Sequence, residues 1–322
     1  MLDGHLFRCY VDLREPGGLL MEIRVLRYFL AVAREGTIVG AAKFLHVTQP
    51  TLSRQLQDLE EELGQQLFIR SNRTITLTPE GRFLRKRAEE ILEIVNRTEG
   101  DFNAMGENIG GSVHIGGGES RAMRLVAGTI GELREEHPDI RYNLYSGNAE
   151  DVMERLDKGI LDFGILIQPV DISKYDSVAL PIRDTWGLVM RKDSPLAEKT
   201  AITLRDLRSL PLICSRINIR QSTVKNAYAE WFGKSFEKLN IVATYNLIYN
   251  AALLVEAGIG YALGLDGLID AVGNRALCFR PLGPKLESGL NIVWKKYQVF
   301  SKAAELFRDR LLERFSEPET ES

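Results

Sequence analysis

Two short amphipathic segments separated by a three-residue break constrain the fold more than any other feature of this sequence. Thr37 is a suitable N-cap for a helix with apolar residues on one side as far as Leu45. Residues 46–48 form the break, and Thr48 is placed to cap a further helix that carries Pro50 in its first turn and ends at Gly64. A helix, a tight break and a second helix predict a helix-turn-helix, preceded by a helix around residues 26–33.

The second helix of this pair has two different faces. Its buried stripe is Leu52, Leu56, Leu59 and Leu63. The opposite face near its start offers hydrogen-bonding side chains, namely Gln49, Thr51, Ser53, Arg54 and Gln57. Its far end is acidic, with Asp58 and residues 60–62, which phosphate would repel. This polarity predicts that the helix enters the major groove of double-stranded DNA with its N-terminus first.

A hairpin follows this helix. Residues 67–70 and 74–77 are β-prone and flank a polar turn, so they predict a wing that presents Arg70 and Arg73 to the DNA backbone or minor groove. The predicted DNA-binding residues are Thr37, Thr48, Gln49, Pro50, Thr51, Ser53, Arg54, Gln57, Arg70 and Arg73. The alternative is a small helical domain whose exposed polar side chains are only solvated.

Charge is distributed unevenly along the chain. Residues 21–87 hold eleven Lys/Arg and seven Asp/Glu, a net charge of +4, whereas the rest holds 30 basic and 37 acidic residues and nets −7. This distribution excludes a uniformly basic coat protein and indicates an anionic partner for the first unit only.

These residues also match a family. The segment "AAKFLHVTQPTLSRQLQDLEEELGQQLFIRSNRTITLTPEG" resembles the N-terminal signature of LysR-type transcriptional regulators, and the match covers residues 22–81. The resemblance implies a sequence-specific DNA-binding regulator that is not an enzyme and needs no cofactor. Residues 21–78 would form an α+β winged helix-turn-helix.

A linker helix is predicted over residues 79–105, with a hinge at 106–111. Residues that are apolar except for Thr98 recur in steps of four and three at Leu84, Ala88, Ile91, Val95, Thr98, Phe102 and Met105. This heptad pattern predicts dimerisation through Leu84, Ala88, Ile91, Val95 and Phe102, and the resemblance implies the same pairing in a homodimer or homotetramer. The alternative is a helix packed on its own domain.

The acidic remainder, residues 112–316, alternates strands with helices, which predicts two α/β lobes with a parallel sheet and a ligand cleft between them. We place the first lobe at 112–182 and 299–316, and the second at 183–298. Segments such as "ELREEHPDI" and "LLVEAGIGYAL" resemble the LysR effector-binding region, which implies a periplasmic-binding-protein-like fold.

The effector site is predicted in that cleft. Ser120 follows a strand and three glycines, so we expect it to cap the next helix, open toward the cleft and bind a small anion. Glu119 beside it would repel an anion, so a neutral or amine-bearing effector is the alternative. The resemblance adds Asn148, Ala149, Ser215, Arg216 and Asn246. Bound effector would move the lobes and alter promoter bending or contact with RNA polymerase, a further candidate partner.

Competing chemistry is poorly supported by the residues. Arg121 stands where a dinucleotide fingerprint needs glycine, the nucleophile-elbow pattern around Ser120 has no later histidine, and the four histidines lack metal-ligand spacing. Cys214 and Cys278 are expected to be buried structural thiols. The alternative class is an enzyme or a solute-binding protein on the same α/β fold.

The ends of the chain and its location complete the sequence-based expectations. Residues 1–20 are expected to be a dispensable extension before Met21, and 317–322 a tail. With no apolar run of transmembrane length and no membrane partner, a cytoplasmic location is expected.

Overall fold

The computed structural model describes residues 21–71, 74–103, 109–216, 227–268 and 276–315. It divides into a first unit that ends at Glu99 and a second that begins at Gly100. The expected extension 1–20, the tail 317–322, residues 106–108 of the hinge and Arg73 lie outside the described residues. No helix within these ranges is long and apolar enough to span a bilayer.

Three helices and a two-stranded wing form the first unit, followed by a long helix. The elements are α1 (Ile23–Glu35), α2 (Ile38–Leu45), α3 (Gln49–Leu63), β1 (Phe68–Arg70), β2 (Ile75–Leu77) and α4 (Pro79–Asn103). Thr37 and Thr48 cap α2 and α3, accepting hydrogen bonds from the amides of Gly40 and Thr51. The strands pair antiparallel. These elements confirm the predicted winged helix-turn-helix.

One apolar core holds this unit together. Leu52, Leu56 and Leu59 of α3 are buried in it as predicted, and the rings of Phe29 and Phe68 lie 5.2 Å apart. The wing is tied to the end of α1, because the Ile75 amide donates a 2.8 Å hydrogen bond to the Gly36 carbonyl. The orientation of α3 is therefore fixed by contacts with the helices and with the wing.

The second unit is built on a nine-stranded mixed sheet. The strands are β3 (Gly111–Gly117), β4 (Ile140–Ser146), β5 (Phe163–Ile167), β6 (Tyr175–Arg191), β7 (Leu212–Ser215), β8 (Ile241–Tyr245), β9 (Tyr261–Leu265), β10 (Leu277–Pro281) and β11 (Glu287–Lys295). The helices are α5 (Met123–Glu136), α6 (Ala149–Asp157), α7 (Leu204–Leu207), α8 (Ala227–Phe232), α9 (Ile248–Glu256) and α10 (Lys302–Phe315). The strand order is β4-β3-β5-β11-β6-β9-β7-β8, with β10 also paired to β6.

Strand β6 joins the two lobes. Its first part, residues 175–185, pairs with β11, and its second part pairs with β9 and β10. The first lobe therefore contains β3, β4, β5, β11 and the first part of β6, and the second lobe contains the rest of β6 with β7–β10. Within each lobe the parallel strands are β3 with β4 and β5, and β7 with β8 and β9.

Two expectations about this unit are wrong in detail. The sheet is mixed rather than parallel, because β6, β10 and β11 run antiparallel to their neighbours. Strand β11 pairs with β5 and buries Leu290, Ile292 and Trp294 in the core of the first lobe. The second lobe therefore ends before Glu287 and not at residue 298.

Candidate functional site

The N-terminal half of α3 presents a polar surface that makes few contacts with the rest of the chain. Thr48, Gln49, Pro50, Thr51, Arg54 and Gln57 are exposed, and Ser53 is half-buried. The Thr48 and Thr51 hydroxyls lie 2.8 Å apart at the start of the helix. The structure gives Arg54 no hydrogen bond or ion pair with the described residues. Its guanidinium is therefore available to a ligand.

The wing is braced by a carboxylate that sequence reasoning assigned only to a repulsive acidic end. Glu60 accepts hydrogen bonds from the amides of Leu67 and Phe68, at 2.7 and 3.1 Å, and pairs with Arg70 at 3.1 Å. Arg70, predicted to contact DNA, is thus held by Glu60 in this structure. No short-range pattern links residue 60 to residues 67–70.

A cavity lies between the two lobes at the carboxyl ends of β3, β4, β7 and β8. About 100 Å³ of it is open to the centres of water molecules. Its walls are Gly118, Glu119, Gly147, Asn148, Ala149, Ile165, Ile167, Gln168, Trp186, Ser215, Tyr245, Asn246, Ile248, Gly264, Leu265 and Leu268. The carboxyl ends of strands in two α/β lobes are the usual position for a ligand.

Four of the six predicted effector residues lie on this cavity. Asn148, Ala149, Ser215 and Asn246 line it, whereas Arg216 and Ser120 do not. Ser120 lines a neighbouring cavity that shares Glu119 with the first. The expectation that Ser120 caps a helix is wrong, because α5 begins only at Met123.

Ser120 instead belongs to a buried polar cluster at the junction of the lobes. Its hydroxyl donates to Asp184 Oδ2 at 2.6 Å and accepts from the Ala122 amide at 3.0 Å. Arg121 lies 3.5 Å from Asp184 and 3.2 Å from Asp266, which follows β9 in the second lobe. The hydroxyl is therefore engaged within the protein, and its predicted opening toward the cleft is corrected.

Burial raises the pKa of Asp184, and nearby Asp266 adds to this, while the Ser120 hydroxyl and Arg121 oppose it. A carboxyl whose folded pKa lies above its unfolded value costs stability when ionised, and the cost is relieved as pH falls through the raised pKa. We therefore expect Asp184→Asn to gain stability relative to wild type as pH rises from about 4 to 7. Urea unfolding across that range measures the difference.

The matched control is Asp176→Asn, an exposed position on the same strand. It removes a carboxyl group outside the buried cluster, so it shows what an Asp-to-Asn substitution on this strand does by itself. A difference between Asp184→Asn and wild type that stays constant from about pH 4 to 7 would contradict the assignment.

Tyr245 is a cavity residue that sequence reasoning did not place there, and Glu119, expected beside Ser120, also lines the cavity. The Glu119 carboxylate in the first lobe accepts a short hydrogen bond from the amide of Ile248, the first residue of α9 in the second lobe. Burial, together with Cys214 and Glu119 nearby, raises the pKa of Tyr245, whose hydroxyl donates to the Leu263 carbonyl at 2.7 Å. Glu119 therefore links the two lobes across the cavity.

The described residues give little support for a reactive thiol or a metal site. Cys214 is buried, as expected, and burial raises its pKa to about 12, which keeps the thiol protonated. Cys278 is only partly buried. Among the described residues, no group of three or more His, Cys, Asp or Glu side chains is arranged to hold a metal ion.

The predicted dimer seam on α4 is only partly available to a second chain. Leu84 and Ala88 are buried in the core of the first unit, and Ile91 packs against that core. This part of the prediction is corrected, because these side chains already have partners within the chain. Phe102 is 68% exposed, and two residues outside the predicted seam, Phe83 and Ile94, are 67% and 40% exposed.

Comparison with known proteins finds two matched regions in the chain. Residues 23–82 match the family described as bacterial regulatory helix-turn-helix protein, lysR family. Residues 106–316 match the LysR substrate binding domain.

Relatives match over nearly their whole length. The HTH-type transcriptional regulator IlvY of Escherichia coli (strain K12) is 28% identical over 89% of this chain and 97% of its own. The Hca operon transcriptional activator HcaR of the same organism is 29% identical over 87% of this chain and 93% of its own.

Solved structures show the same fold. The crystal structure of CbnR, a LysR family transcriptional regulator, has a TM-score of 0.72 at 20% identity, covering 92% of this chain and 100% of CbnR. The crystal structure of full-length CbnR with its target DNA has a TM-score of 0.70 at 22% identity, covering 91% of this chain and 99% of CbnR. With the helix-turn-helix match at residues 23–82 and the substrate-binding match at 106–316, this chain belongs to the LysR family of DNA-binding transcriptional regulators.

Proposed function

We propose that the N-terminal half of α3 reads an operator in the major groove, and that the wing contacts the backbone beside it. The observation that carries this proposal is the exposed polar start of α3, with Arg54 unengaged by the described residues. Arginine and glutamine are well suited to donate paired hydrogen bonds to base edges. The solved complex of CbnR with its target DNA supports the same use of the fold.

A small molecule bound in the cavity between the lobes is proposed to regulate this DNA binding. The cavity joins residues of both lobes, so a ligand there favours one relative position of the lobes. Asn148 and Ala149 supply its first-lobe wall, and Ser215 and Asn246 its second-lobe wall. A shift of the lobes would be transmitted to the DNA-binding units, to promoter bending or to RNA polymerase in the cytoplasm.

A homo-oligomer assembled through the exposed face of α4 is the third part of the proposal. Phe83 and Ile94 are separated by eleven positions, which places them on the same side of the helix, away from the core that holds Leu84 and Ala88. Large exposed apolar side chains on a long helix favour pairing with a second copy. The revised interface is therefore centred on Phe83 and Ile94, with Phe102 near the end of α4.

We expect Ile94→Glu to convert the oligomer to a smaller species, because the substitution buries a charge against an apolar partner surface. Analytical ultracentrifugation of the full chain measures the change. Ile23→Glu is the control, since Ile23 is exposed to a similar extent, 44%, but lies on α1. An unchanged mass for Ile94→Glu, or an equal change in both variants, would contradict this interface.

The experiment that tests the proposed function is capture and sequencing of genomic DNA fragments by the purified protein. A LysR-type reader should enrich a small set of fragments, with binding that weakens steeply as salt increases. An enzyme or a solute-binding protein on the same fold requires neither result. Recovery of fragments in proportion to their abundance would reject sequence-specific reading.

A further inference from the structure

The cavity between the lobes has one acidic side chain among its described lining residues. Glu119 is that residue, and the remaining walls are apolar side chains, glycines, amides and hydroxyls. One of its carboxylate oxygens, Oε2, accepts the hydrogen bond from the Ile248 amide. The structure gives the other oxygen no partner among the described residues, so it is available to a ligand in the cavity.

This arrangement discriminates between ligand charges. The first amide of α9 is already engaged by the Glu119 carboxylate, so this amide is not free for a ligand carboxylate. An anionic group placed beside the carboxylate is repelled, and the repulsion is stronger between low-dielectric walls than in water. A cation in the same position gains a charge-assisted hydrogen bond.

Most other polar groups on the walls are engaged within the protein. The Tyr245 hydroxyl donates to Leu263, and Trp186 Nε1 donates to the Ser288 hydroxyl at 2.9 Å. Gln168 uses both ends of its amide, donating to Asn291 and accepting from the Val170 amide. These groups shape the cavity and offer little to a ligand.

Three polar side chains remain for recognition. The Asn148 and Asn246 carbonyl oxygens each accept a backbone hydrogen bond, which leaves their amide NH₂ groups as donors. The Ser215 hydroxyl has no hydrogen bond with the described residues and lines the same space. A ligand that satisfies these groups must carry a hydrogen-bond acceptor in addition to the group that meets Glu119.

We propose that the effector is a small primary amine that also carries a hydrogen-bond acceptor, with its ammonium group on Glu119. This inference rests on the proposed function, because it assumes that the cavity is the effector site. The cavity, with about 100 Å³ open to the centres of water molecules, suits a small ligand. An ammonium on the free oxygen leaves the Glu119–Ile248 link intact, so the ligand reinforces the contact between the lobes.

Three probes matched in length test the charge preference. They are 5-aminopentanamide, pentanediamide and 5-amino-5-oxopentanoate, each of about eight or nine non-hydrogen atoms, with the same primary amide at one end. The other end is an ammonium, an amide or a carboxylate. Calorimetric titration of the full chain to about 20 mM probe covers the weak binding expected of such small ligands.

The decisive variant is Glu119→Gln, because glutamine keeps an oxygen for the Ile248 amide and removes only the charge. In wild type, the amine should bind at least about tenfold more tightly than the carboxylate, a difference of about 1.4 kcal/mol. In Glu119→Gln the amine should lose about tenfold or more in affinity, and the carboxylate should lose none. Glu198→Gln, an exposed position that does not line the cavity, is the charge-matched control and should bind like wild type.

The outcomes separate this inference from the proposed function. The amine proposal would be rejected if the amine does not bind at 20 mM. It would also be rejected if wild type prefers the carboxylate and Glu119→Gln changes that preference. Either result would leave the cavity as a candidate ligand site. If all three probes bind and Glu119→Gln leaves their affinities unchanged, the cavity would be rejected as the ligand site. DNA reading is judged separately by the fragments that the protein captures.

Discussion

Gly81→Ala is expected to destabilise the first unit by about 3 kcal/mol or more, a value at the upper end for overpacking. A methyl group at this position would lie 2.1 Å from the Leu67 carbonyl oxygen and 3.1 Å from its carbon. The obstacle is backbone, so no side-chain rotation relieves it. That carbonyl is also fixed in place, because it accepts a 3.0 Å hydrogen bond from the Thr78 amide. Helix α4 and the start of the wing would therefore have to separate.

The positions of the tryptophans allow the unfolding of the two units to be measured separately. All three, Trp186, Trp231 and Trp294, lie in the second unit. Thermal unfolding followed by tryptophan fluorescence should therefore change little in Gly81→Ala. Circular dichroism should show loss of helical signal at a lower temperature, and DNA binding should fall with it.

Gly100→Ala is the matched control in the same helix. A methyl group at Gly100 would meet no atom within 4 Å. Because alanine favours a helix interior by up to about 1 kcal/mol over glycine, this variant should be as stable as wild type or more stable. Equal stability of wild type and Gly81→Ala, or equal damage from both substitutions, would show that the close approach to Leu67 is not required.

Local patterns predicted the first unit well because its elements are specified by neighbouring residues. Caps at Thr37 and Thr48, glycine at position 64 and the leucine spacing of α3 all act within a few residues of each other. Two caps, a helix end and one apolar stripe therefore sufficed to place the helices. The role of Glu60 was not predicted, since its partners lie seven to ten residues away.

Strand β6 shows where local patterns fail. Pro181 and several polar residues interrupt its first part, so the sequence did not indicate a single long strand there. Proline removes a ladder hydrogen bond and is tolerated in a strand mainly at an edge or a bulge. The register between β6 and β11 shifts opposite Pro181, between Gly289 and Asn291. The compensating irregularity lies more than a hundred positions away in sequence.

The sequence predicted the position of the candidate effector site better than the contacts of its individual residues. The ends of parallel strands indicated where a cavity would form, and Asn148, Ala149, Ser215 and Asn246 line it. The partner of Ser120 is Asp184, which lies 64 positions away on the strand that was missed. Without that strand, the hydroxyl was assigned to a ligand instead of a buried carboxylate.

Arg54→Ala is expected to weaken specific operator binding by about 1–3 kcal/mol, or roughly 5- to 150-fold, if the guanidinium reads a base. Arg54 projects from the exposed face of α3, opposite Leu52, Leu56 and Leu59. Folding stability should therefore change little. The measurement is the affinity for a captured operator fragment and for a scrambled fragment, each across a range of salt concentrations.

Arg24→Ala is the control for charge alone. Arg24 is also exposed in the first unit, but it lies on α1 and pairs with Glu22 at 3.0 Å. Loss of a base contact in Arg54→Ala reduces the preference for operator over scrambled DNA, whereas loss of a phosphate contact weakens both equally and lowers the salt dependence by about one ion. Arg24→Ala should keep the wild-type preference. If both variants bind the operator as wild type does, α3 is not the reading helix, because its one exposed arginine would contribute nothing to recognition.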